Sequence, residues 1–172
     1  MIKKSTIETV LGLFFEYPTT EFHLRELSRK LRLSMPTIIS MTDKLARENL
    51  IIKKKGKVIT SMFADRENPY FIRKKRVNNL ERMYDSGIVE YLTQEYNQPR
   101  AIIIFGSYSR GEDIEKSDID VAVLTDKKIS VDLDKFSHFF GKTINIHEID
   151  AEKISKEFKA NLSNGIVLEG SW

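Results

Sequence analysis

A short, fully apolar run that leads directly into a small-residue turn constrains the fold of this chain more than any other feature. Residues 101–105 have the sequence Ala-Ile-Ile-Ile-Phe, and Gly106 and Ser107 follow at once. A continuous apolar run of this length, bounded by a turn signal, predicts a buried central strand. A glycine after such a strand lets the backbone turn sharply and approach a ligand closely.

Two aspartates lie on the next predicted strand, which runs from Asp118 to Leu124. Asp118 and Asp120 are two residues apart, so their carboxylates project from one face while Ile119 points to the other. Neighbouring carboxylates repel each other unless a cation lies between them. Oxygen ligands of this kind favour Mg²⁺ or Mn²⁺ bridging to substrate phosphates. The pair is therefore a candidate metal site.

The turn after the first strand is a candidate site for an anion such as phosphate. The start of the helix that follows offers unpaired N–H groups to an anion. The residues predicted to contact the bound group are Gly106, Ser107, Ser109 and Arg110. Beyond the second strand, the pattern predicts a helix over 131–140, a third strand over 143–149 and a final helix over 151–162.

The segment containing these motifs has the sequence GSYSRGEDIEKSDIDVAVL. It resembles the signature of the DNA polymerase β-like nucleotidyltransferases, in particular their minimal branch, which includes small antitoxin-type enzymes. The resemblance covers roughly residues 84–170. It implies an α+β domain whose mixed sheet carries helices on one face. It also implies a nucleoside triphosphate substrate, two divalent ions held by Asp118 and Asp120, and β- and γ-phosphates held by the Gly106-Ser107 turn.

One position departs from the family pattern. Members usually carry a third carboxylate on the strand after the intervening helix, and the alignment of that strand places Asn145 there. Asparagine offers a carbonyl oxygen to a metal but no charge and no basicity. His147 shares the strand face of Asn145 and could act as a base or a ligand, while Glu148 points the other way. The predicted catalytic residues are therefore Asp118, Asp120, Asn145 and His147.

The N-terminal part of the chain has a different pattern. Three helical stretches are followed by two β-prone runs around the basic turn 53–57. Ser34 is placed to cap the third helix, and Pro36 fits its first turn. The stretch HLRELSRKLRLSMPTIISMTDKLARENLIIKKKGKVI resembles the winged helix-turn-helix family. In that family the third helix enters the major groove of double-stranded DNA and the hairpin touches the backbone.

The resemblance predicts DNA contacts from two places. The candidates on the third helix and in the hairpin are Thr37, Ser40, Lys44, Lys53, Lys54, Lys55 and Lys57. Lysines in the hairpin would contact phosphates, which position a protein without specifying a base sequence. The alternative is a module that mediates protein contacts. In that case the lysines only form a turn that is exposed to solvent.

Charge separates the two ends of the chain. The net charge of +3 is the sum of +6 over residues 1–99 and −3 over residues 100–172. We predict an α+β protein with a winged helix at 1–65, a helical connector at 66–98 and a nucleotidyltransferase domain at 99–172. A stripe of Ile88, Leu92 and Tyr96 would attach the connector to the sheet.

Composition excludes several classes of protein. The chain has no cysteine, which rules out disulfides, thiolate zinc sites and cysteine nucleophiles. It has no apolar run of 18 residues and no visible secretory signal, so we expect a cytoplasmic protein with no membrane partner. Whether two copies form a homodimer stays open.

Two functions remain in competition. The first is transfer of a nucleoside monophosphate, AMP being the expected group, from a nucleoside triphosphate to a hydroxyl of a protein or an RNA. The second is a DNA-bound regulator whose degenerate nucleotidyltransferase domain senses nucleotide or docks a partner without turnover. The intact Gly-Ser and Asp-x-Asp motifs favour the enzyme, and Asn145 favours the regulator.

Overall fold

A computed structural model describes residues 5–56, 59–150, 154 and 156–171 of the chain. Across these residues the protein is mixed α+β, with eight helices and two sheets. It forms two compact units that meet between Asn78 and Asn79. None of the helices in the described part of the chain is long and apolar enough to cross a membrane.

The first unit consists mainly of three helices and a three-stranded sheet. In chain order its elements are α1 (Thr6–Glu16), β1 (Phe22–His23), α2 (Leu24–Leu31), α3 (Met35–Arg47), β2 (Ile51–Lys55) and β3 (Thr60–Ala64). The strand order is β1-β3-β2, with both pairs antiparallel. The three predicted helices and the hairpin are confirmed. Strand β1 has only two residues and has no counterpart in the sequence prediction.

Local signals explain where these helices begin. Ser5 and Glu8 form a reciprocal capping box at the start of α1, each side chain bonding the other residue's backbone N–H. Ser34 caps α3 as predicted, since its hydroxyl accepts a hydrogen bond from the Thr37 N–H at 3.3 Å. The apolar faces of the three helices then share one core, which includes Val10, Phe14, Leu27, Ile38 and Leu45.

The hairpin differs from its prediction in where the lysines lie. Lys53, Lys54 and Lys55 are not in the turn but in β2, where they pair with Met62, Ser61 and Thr60 of β3. Strand pairing extends further than the sequence suggested because lysine is tolerated on an edge strand, where its side chain reaches solvent. Lys57, also predicted in the turn, lies outside the described residues.

The long helix α4 (Pro69–Asp85) belongs partly to each unit. It begins at Pro69, a residue that fits the first turn of a helix. Phe71 near its start packs in the core of the first unit, and Met83 near its end packs in the core of the second.

The second unit is built on a four-stranded sheet. Its remaining elements are α5 (Ile88–Glu95), β4 (Ala101–Phe105), α6 (Gly106–Arg110), β5 (Ile119–Leu124), α7 (Asp134–Phe140), β6 (Ile144–Ile149), α8 (Lys156–Ser163) and β7 (Ile166–Gly170). The strand order is β6-β5-β4-β7, with β5 and β6 parallel and the other pairs antiparallel. The predicted buried central strand is confirmed as β4, whose five residues are all buried. Strand β7 was missed by the sequence analysis.

Helices cover both faces of this sheet, which corrects the expectation that they lie on one face. Residues from α5, α6 and α7 pack on the face formed by Ile102, Ile104, Ile119, Val121 and Val123. Helix α8 packs on the other face, with Leu162 in a core formed by Ala101, Ile103, Phe105, Ala122 and Leu124. The second layer is present because β4 is apolar on both sides and needs cover on both. The stripe of Ile88, Leu92 and Tyr96 packs on the first face, as predicted.

One predicted helix of the second unit is shorter than expected, and another falls partly outside the described residues. Helix α7 begins at Asp134 rather than at Val131, because the Asp132 carboxylate accepts a hydrogen bond from the Asp134 N–H at 3.0 Å and starts the helix there. The predicted final helix over 151–162 corresponds to α8, and residues 151–153 and 155 lie outside the described residues.

Candidate active site

The site lies where β4 ends beside the start of β5. Phe105, the last residue of β4, is paired with Asp120 of β5. The chain then turns at Gly106, whose φ is +73°, and enters α6. A Cβ at Gly106 would lie 2.8 Å from Oδ2 of Asp120, which is closer than real Cβ contacts come. The positive φ favours glycine at this position, and the Asp120 carboxylate lies directly against it.

The two aspartates lie on one face, as predicted. Ile119 between them is fully buried in the core of the opposite face. Asp118 is exposed just before β5 begins, and the side chain of Asp120 is 31% exposed. Asp120 is thus on strand β5 and Asp118 directly precedes it, and both carboxylates are accessible to solvent, which a site for a hydrated cation needs.

Strand β6 brings the other two predicted catalytic residues to the same place. In the parallel pair, Asn145 lies opposite Asp120. The Asn145 side-chain amide donates to Oδ2 of Asp118 at 3.4 Å and to Oδ1 of Asp120 at 3.3 Å. Nε2 of His147 lies 3.3 Å from the same Oδ1. The structure therefore gathers Asp118, Asp120, Asn145 and His147 into one cluster.

Aromatic side chains surround the imidazole of His147, and the sequence analysis missed them. The ring lies 5.2 Å from the Phe105 ring and 5.9 Å from the Phe158 ring, centroid to centroid. Phe158 comes from α8, so the helix on the second face of the sheet restricts the orientation of this histidine. The side chain of His147 is still 38% exposed.

Glu148 takes no part in the cluster, in agreement with the prediction that it points the other way. Its Oε1 accepts hydrogen bonds from the Tyr96 hydroxyl at 2.9 Å and from the Ile129 N–H at 2.7 Å. Burial, together with this hydrogen bond to a carboxylate, raises the pKa of Tyr96 above its usual range.

The four residues that were predicted to contact a nucleotide differ in their burial and in their hydrogen bonds. Gly106 and Ser107 are half-buried at the start of α6. Ser109 is buried, and its hydroxyl donates to the Gly106 carbonyl oxygen at 2.9 Å, so it stabilises the turn instead of facing solvent. Arg110 is exposed, and its Nε bonds Glu112 at 2.7 Å, which neutralises part of its charge. Among these side chains, Ser107 and Arg110 are the two placed to meet a ligand.

A buried polar network holds the loop that leads to Asp118. Nζ of Lys142 donates to the carbonyl oxygen of Ile114, and at 3.3 Å to that of Ser117. It also lies 3.5 Å from the Asp113 carboxylate, and the two side chains are only 6% and 2% exposed. Asn79 donates to Asp113 from α4 at 2.7 Å. No sequence pattern pointed to this network, because its contacts join residues that are 25 or more positions apart along the chain.

The chemistry of the donor set fits a divalent cation. Asp118 and Asp120 supply carboxylate oxygens on one face, and such oxygens are the ligands that Mg²⁺ prefers. The described ranges contain no group of three or more acidic, histidine or cysteine side chains that could hold a metal ion. The set of candidate metal ligands is therefore small. Asp118 and Asp120 are therefore the residues that would hold the cation.

The predicted DNA-binding residues of the first unit do not form a single surface. On α3, Ser40 and Lys44 are exposed, while Thr37 is half-buried with its hydroxyl 2.8 Å from that of Ser34. Side chains alternate along β2, so Lys53 and Lys55 lie on one face and Lys54 on the other.

Lys53 is tied to α3. Its ammonium donates to the Asp43 carboxylate at 2.7 Å and to the Thr42 hydroxyl at 3.2 Å, and its side chain is 14% exposed. This bond lowers the pKa of Asp43 below its ordinary value. Arg47, which the sequence analysis did not single out, lines the same groove as Lys53 and Lys55. Arg47 and Lys55 are thus exposed cations that line this groove.

Comparison with known protein families agrees with the architecture of the second unit. Residues 87–169 match the family model described as "Polymerase beta, Nucleotidyltransferase". The match spans just under half of the chain and includes every residue of the cluster around Asp118. It supports a nucleotidyltransferase domain in this segment and, with it, a general nucleotidyltransferase function. The comparison with curated proteins found no match.

Proposed function

We propose that this protein transfers a nucleoside monophosphate, AMP in the first instance, from a nucleoside triphosphate to a hydroxyl group of a protein or an RNA. Mg²⁺ or Mn²⁺ would bind with the triphosphate. The observation that carries the proposal is the contact between Gly106 and Asp120, which places a sharp backbone turn directly against one of two solvent-accessible carboxylates.

The turn and the carboxylates would have complementary roles. The backbone N–H groups around Ser107, with its hydroxyl, would hold the β- and γ-phosphates beside the Asp118 and Asp120 carboxylates. When bound, a divalent cation supplies electrostatic stabilisation of the charge that develops on the transferring phosphoryl group. In this arrangement most of the acceleration comes from positioning and electrostatics.

The proton of the attacking hydroxyl needs an acceptor, and His147 is placed to be one. Its Nε2 lies within 3.3 Å of Asp120, and the rings of Phe105 and Phe158 limit how the imidazole can turn. A carboxylate that holds an imidazole in one orientation supports its use as a general base. Asn145 cannot take this role because an amide has no basicity.

The first unit supplies the proposed DNA-binding module. The order of α1, β1, α2, α3 and the hairpin is that of a winged helix, and the exposed face of α3 carries Ser40 and Lys44. Arg47 and Lys55 would contact phosphates of double-stranded DNA. Such contacts would locate the protein on DNA without changing the chemistry at Asp118.

The decisive experiment is incubation of the full chain with α-³²P-labelled nucleoside triphosphates, Mg²⁺ or Mn²⁺, and candidate protein and RNA acceptors. We expect label on an acceptor, with ATP as donor, and none with Asp118→Asn. Asp126→Asn, an exposed aspartate just beyond the other end of β5, makes the same charge change and should keep full activity. Equal labelling by the wild type and Asp118→Asn would reject the proposal.

The alternative is a DNA-bound regulator that binds nucleotide without turnover. The observation that favours it is Asn145, whose amide donates to both aspartates where the family has a third carboxylate. This regulator would bind a labelled nonhydrolysable triphosphate in the presence of Mg²⁺ but would label no acceptor. Nucleotide binding that alters DNA affinity, without any transfer, would establish it.

A further inference from the structure

The side of the aspartate pair that faces β6 is already occupied by the side chains of Asn145 and His147. Asn145 donates to both carboxylates, and Nε2 of His147 contacts the same Oδ1 of Asp120 that Asn145 does. A cation bound on that side would have to replace these contacts. Asn145 could become a ligand only by turning its amide so that the oxygen faces the aspartates, which gives up both hydrogen bonds.

The other side of the pair faces the turn. Oδ2 of Asp120 lies against Gly106, at the start of α6. The turn is where the triphosphate would bind, so a cation on this side would share its ligands with phosphate oxygens. The two sides of Asp120 therefore differ: one is directed to the nucleotide, and the other is bonded to β6.

The charge of the site also favours a single divalent cation. Two divalent ions side by side repel each other strongly, and bridging carboxylates offset that repulsion. Among the four clustered side chains, Asp118 and Asp120 are the two carboxylates, because position 145 is an asparagine. Across the described segments, no set of three or more acidic, histidine or cysteine side chains could form a further metal site. Two carboxylates balance the charge of one divalent ion.

We infer that this protein holds one divalent cation with its nucleotide, not the two that the family resemblance implies, and that Asn145 is the residue responsible. The inference rests on the proposed nucleotide site. The single ion enters on the Gly106 side with the triphosphate, and the amide of Asn145 keeps the β6 side of the aspartates satisfied without metal.

The test is a count of bound Mn²⁺ in the presence of saturating α,β-methylene-ATP, which cannot transfer AMP. Two Mn²⁺ ions about 4 Å apart are magnetically coupled, so electron paramagnetic resonance distinguishes a pair from a single ion, and calorimetry gives the number bound per chain. We expect one uncoupled Mn²⁺ in the wild type and a coupled pair in Asn145→Asp. Asp126→Asn should keep the count at one, and a lower count there would overturn the assignment.

The remaining outcomes separate the inference from the proposed function. Two coupled ions in the wild type would overturn the inference and leave the proposed function standing, whether or not Asn145→Asp folds. A single ion in both the wild type and Asn145→Asp would also overturn it, because Asn145 would not be the reason. No nucleotide-dependent Mn²⁺ binding in the wild type would overturn the proposed function itself.

Discussion

The two units each contain a lysine–aspartate pair, and the pairs differ in burial. In the first unit, Lys53 bonds Asp43 at 2.7 Å, with the aspartate side chain 50% exposed. In the second unit, Lys142 and Asp113 are 3.5 Å apart and only 6% and 2% exposed. A surface pair gains little because water screens it, whereas a buried pair that loses one partner leaves a charge without compensation.

This difference matches what each unit is proposed to do. Cations of the first unit lie at the surface. There, phosphate groups can replace the water molecules and the carboxylates that surround them. The buried pair of the second unit holds the backbone of the loop before Asp118, so the position of the Asp118 carboxylate depends on it. Under the proposed function, the surface charge of the first unit would contact DNA, and the buried charge of the second unit would position Asp118.

The largest effect is expected at the aspartates. Asp118→Asn or Asp120→Asn removes half of the carboxylate charge at the site. Nucleotide binding that depends on a divalent ion should therefore fall below the detection limit of calorimetry. Without metal, Asp118→Asn should melt slightly higher than the wild type, because one of two repelling charges is gone. Unchanged affinity for Mg²⁺-nucleotide in both variants would disprove the metal assignment, with Asp126→Asn as the control.

Asn145→Asp tests the missing carboxylate. A positioned proton acceptor contributes roughly 10²–10⁴-fold to a rate, so a weak wild-type site should gain transfer activity on that scale. If His147 already acts as the base, the gain should be small and His147→Ala should lose most of the activity. Transfer rates unaffected by both substitutions would show that the alignment of β6 with the family's third carboxylate is functionally irrelevant.

Lys142→Met tests the buried pair. Removing the ammonium leaves the Asp113 carboxylate buried with one cation fewer, which should lower the free energy of unfolding by about 3 kcal/mol in urea titrations. The double variant Lys142→Met with Asp113→Asn should recover part of the loss, because the charge is removed as well. In the first unit, Lys53→Met should cost less than about 1 kcal/mol. Equal losses in the two units would remove the distinction between the pairs.

The DNA surface is tested by salt dependence. If Arg47 and Lys55 contact phosphates, changing either to Ala should make the slope of log affinity against log salt shallower by up to ~0.9. Lys54→Ala serves as the matched control, because its side chain lies on the other face of β2 and the slope should not change. Equal slopes for all variants, or no duplex binding by the parent at low salt, would favour a protein-interaction module.

The smallest effect is the pH dependence of the surface pair. Lys53 holds the pKa of Asp43 below its unfolded value, so the pair stabilises the fold above pH about 3.9 and this contribution is lost as pH falls through the lowered pKa. Comparing the wild type with Asp43→Asn by urea titration between pH 7 and pH 2.5 should show a difference of a few tenths of a kcal/mol at neutral pH. The difference should vanish at the acid end, and one that grows with acid would contradict the assignment.

Much of the candidate site could be predicted because its signals are local. The two-residue spacing of Asp118 and Asp120 on a strand sets their common face, and the glycine after a strand marks the turn. Asn145 and His147 were placed on the same face by the same alternation, and the parallel pairing of β5 and β6 brings them to Asp120. The side chains that could contact a nucleotide were harder to predict, because the direction of the Ser109 hydroxyl depends on the fold of the turn.

The sequence by itself determined the helices of the first unit, the central strand β4 and the spacing of the acidic pair, because caps and apolar periodicity act within a few residues. Tertiary structure alone decided three features: the pairing of β7 with β4, the cover of the second sheet face by α8, and the Lys142 network. Each joins segments far apart along the chain. Their stability comes from burial and hydrogen bonds that exist only once the sheet has formed, so no local pattern of residues encodes them.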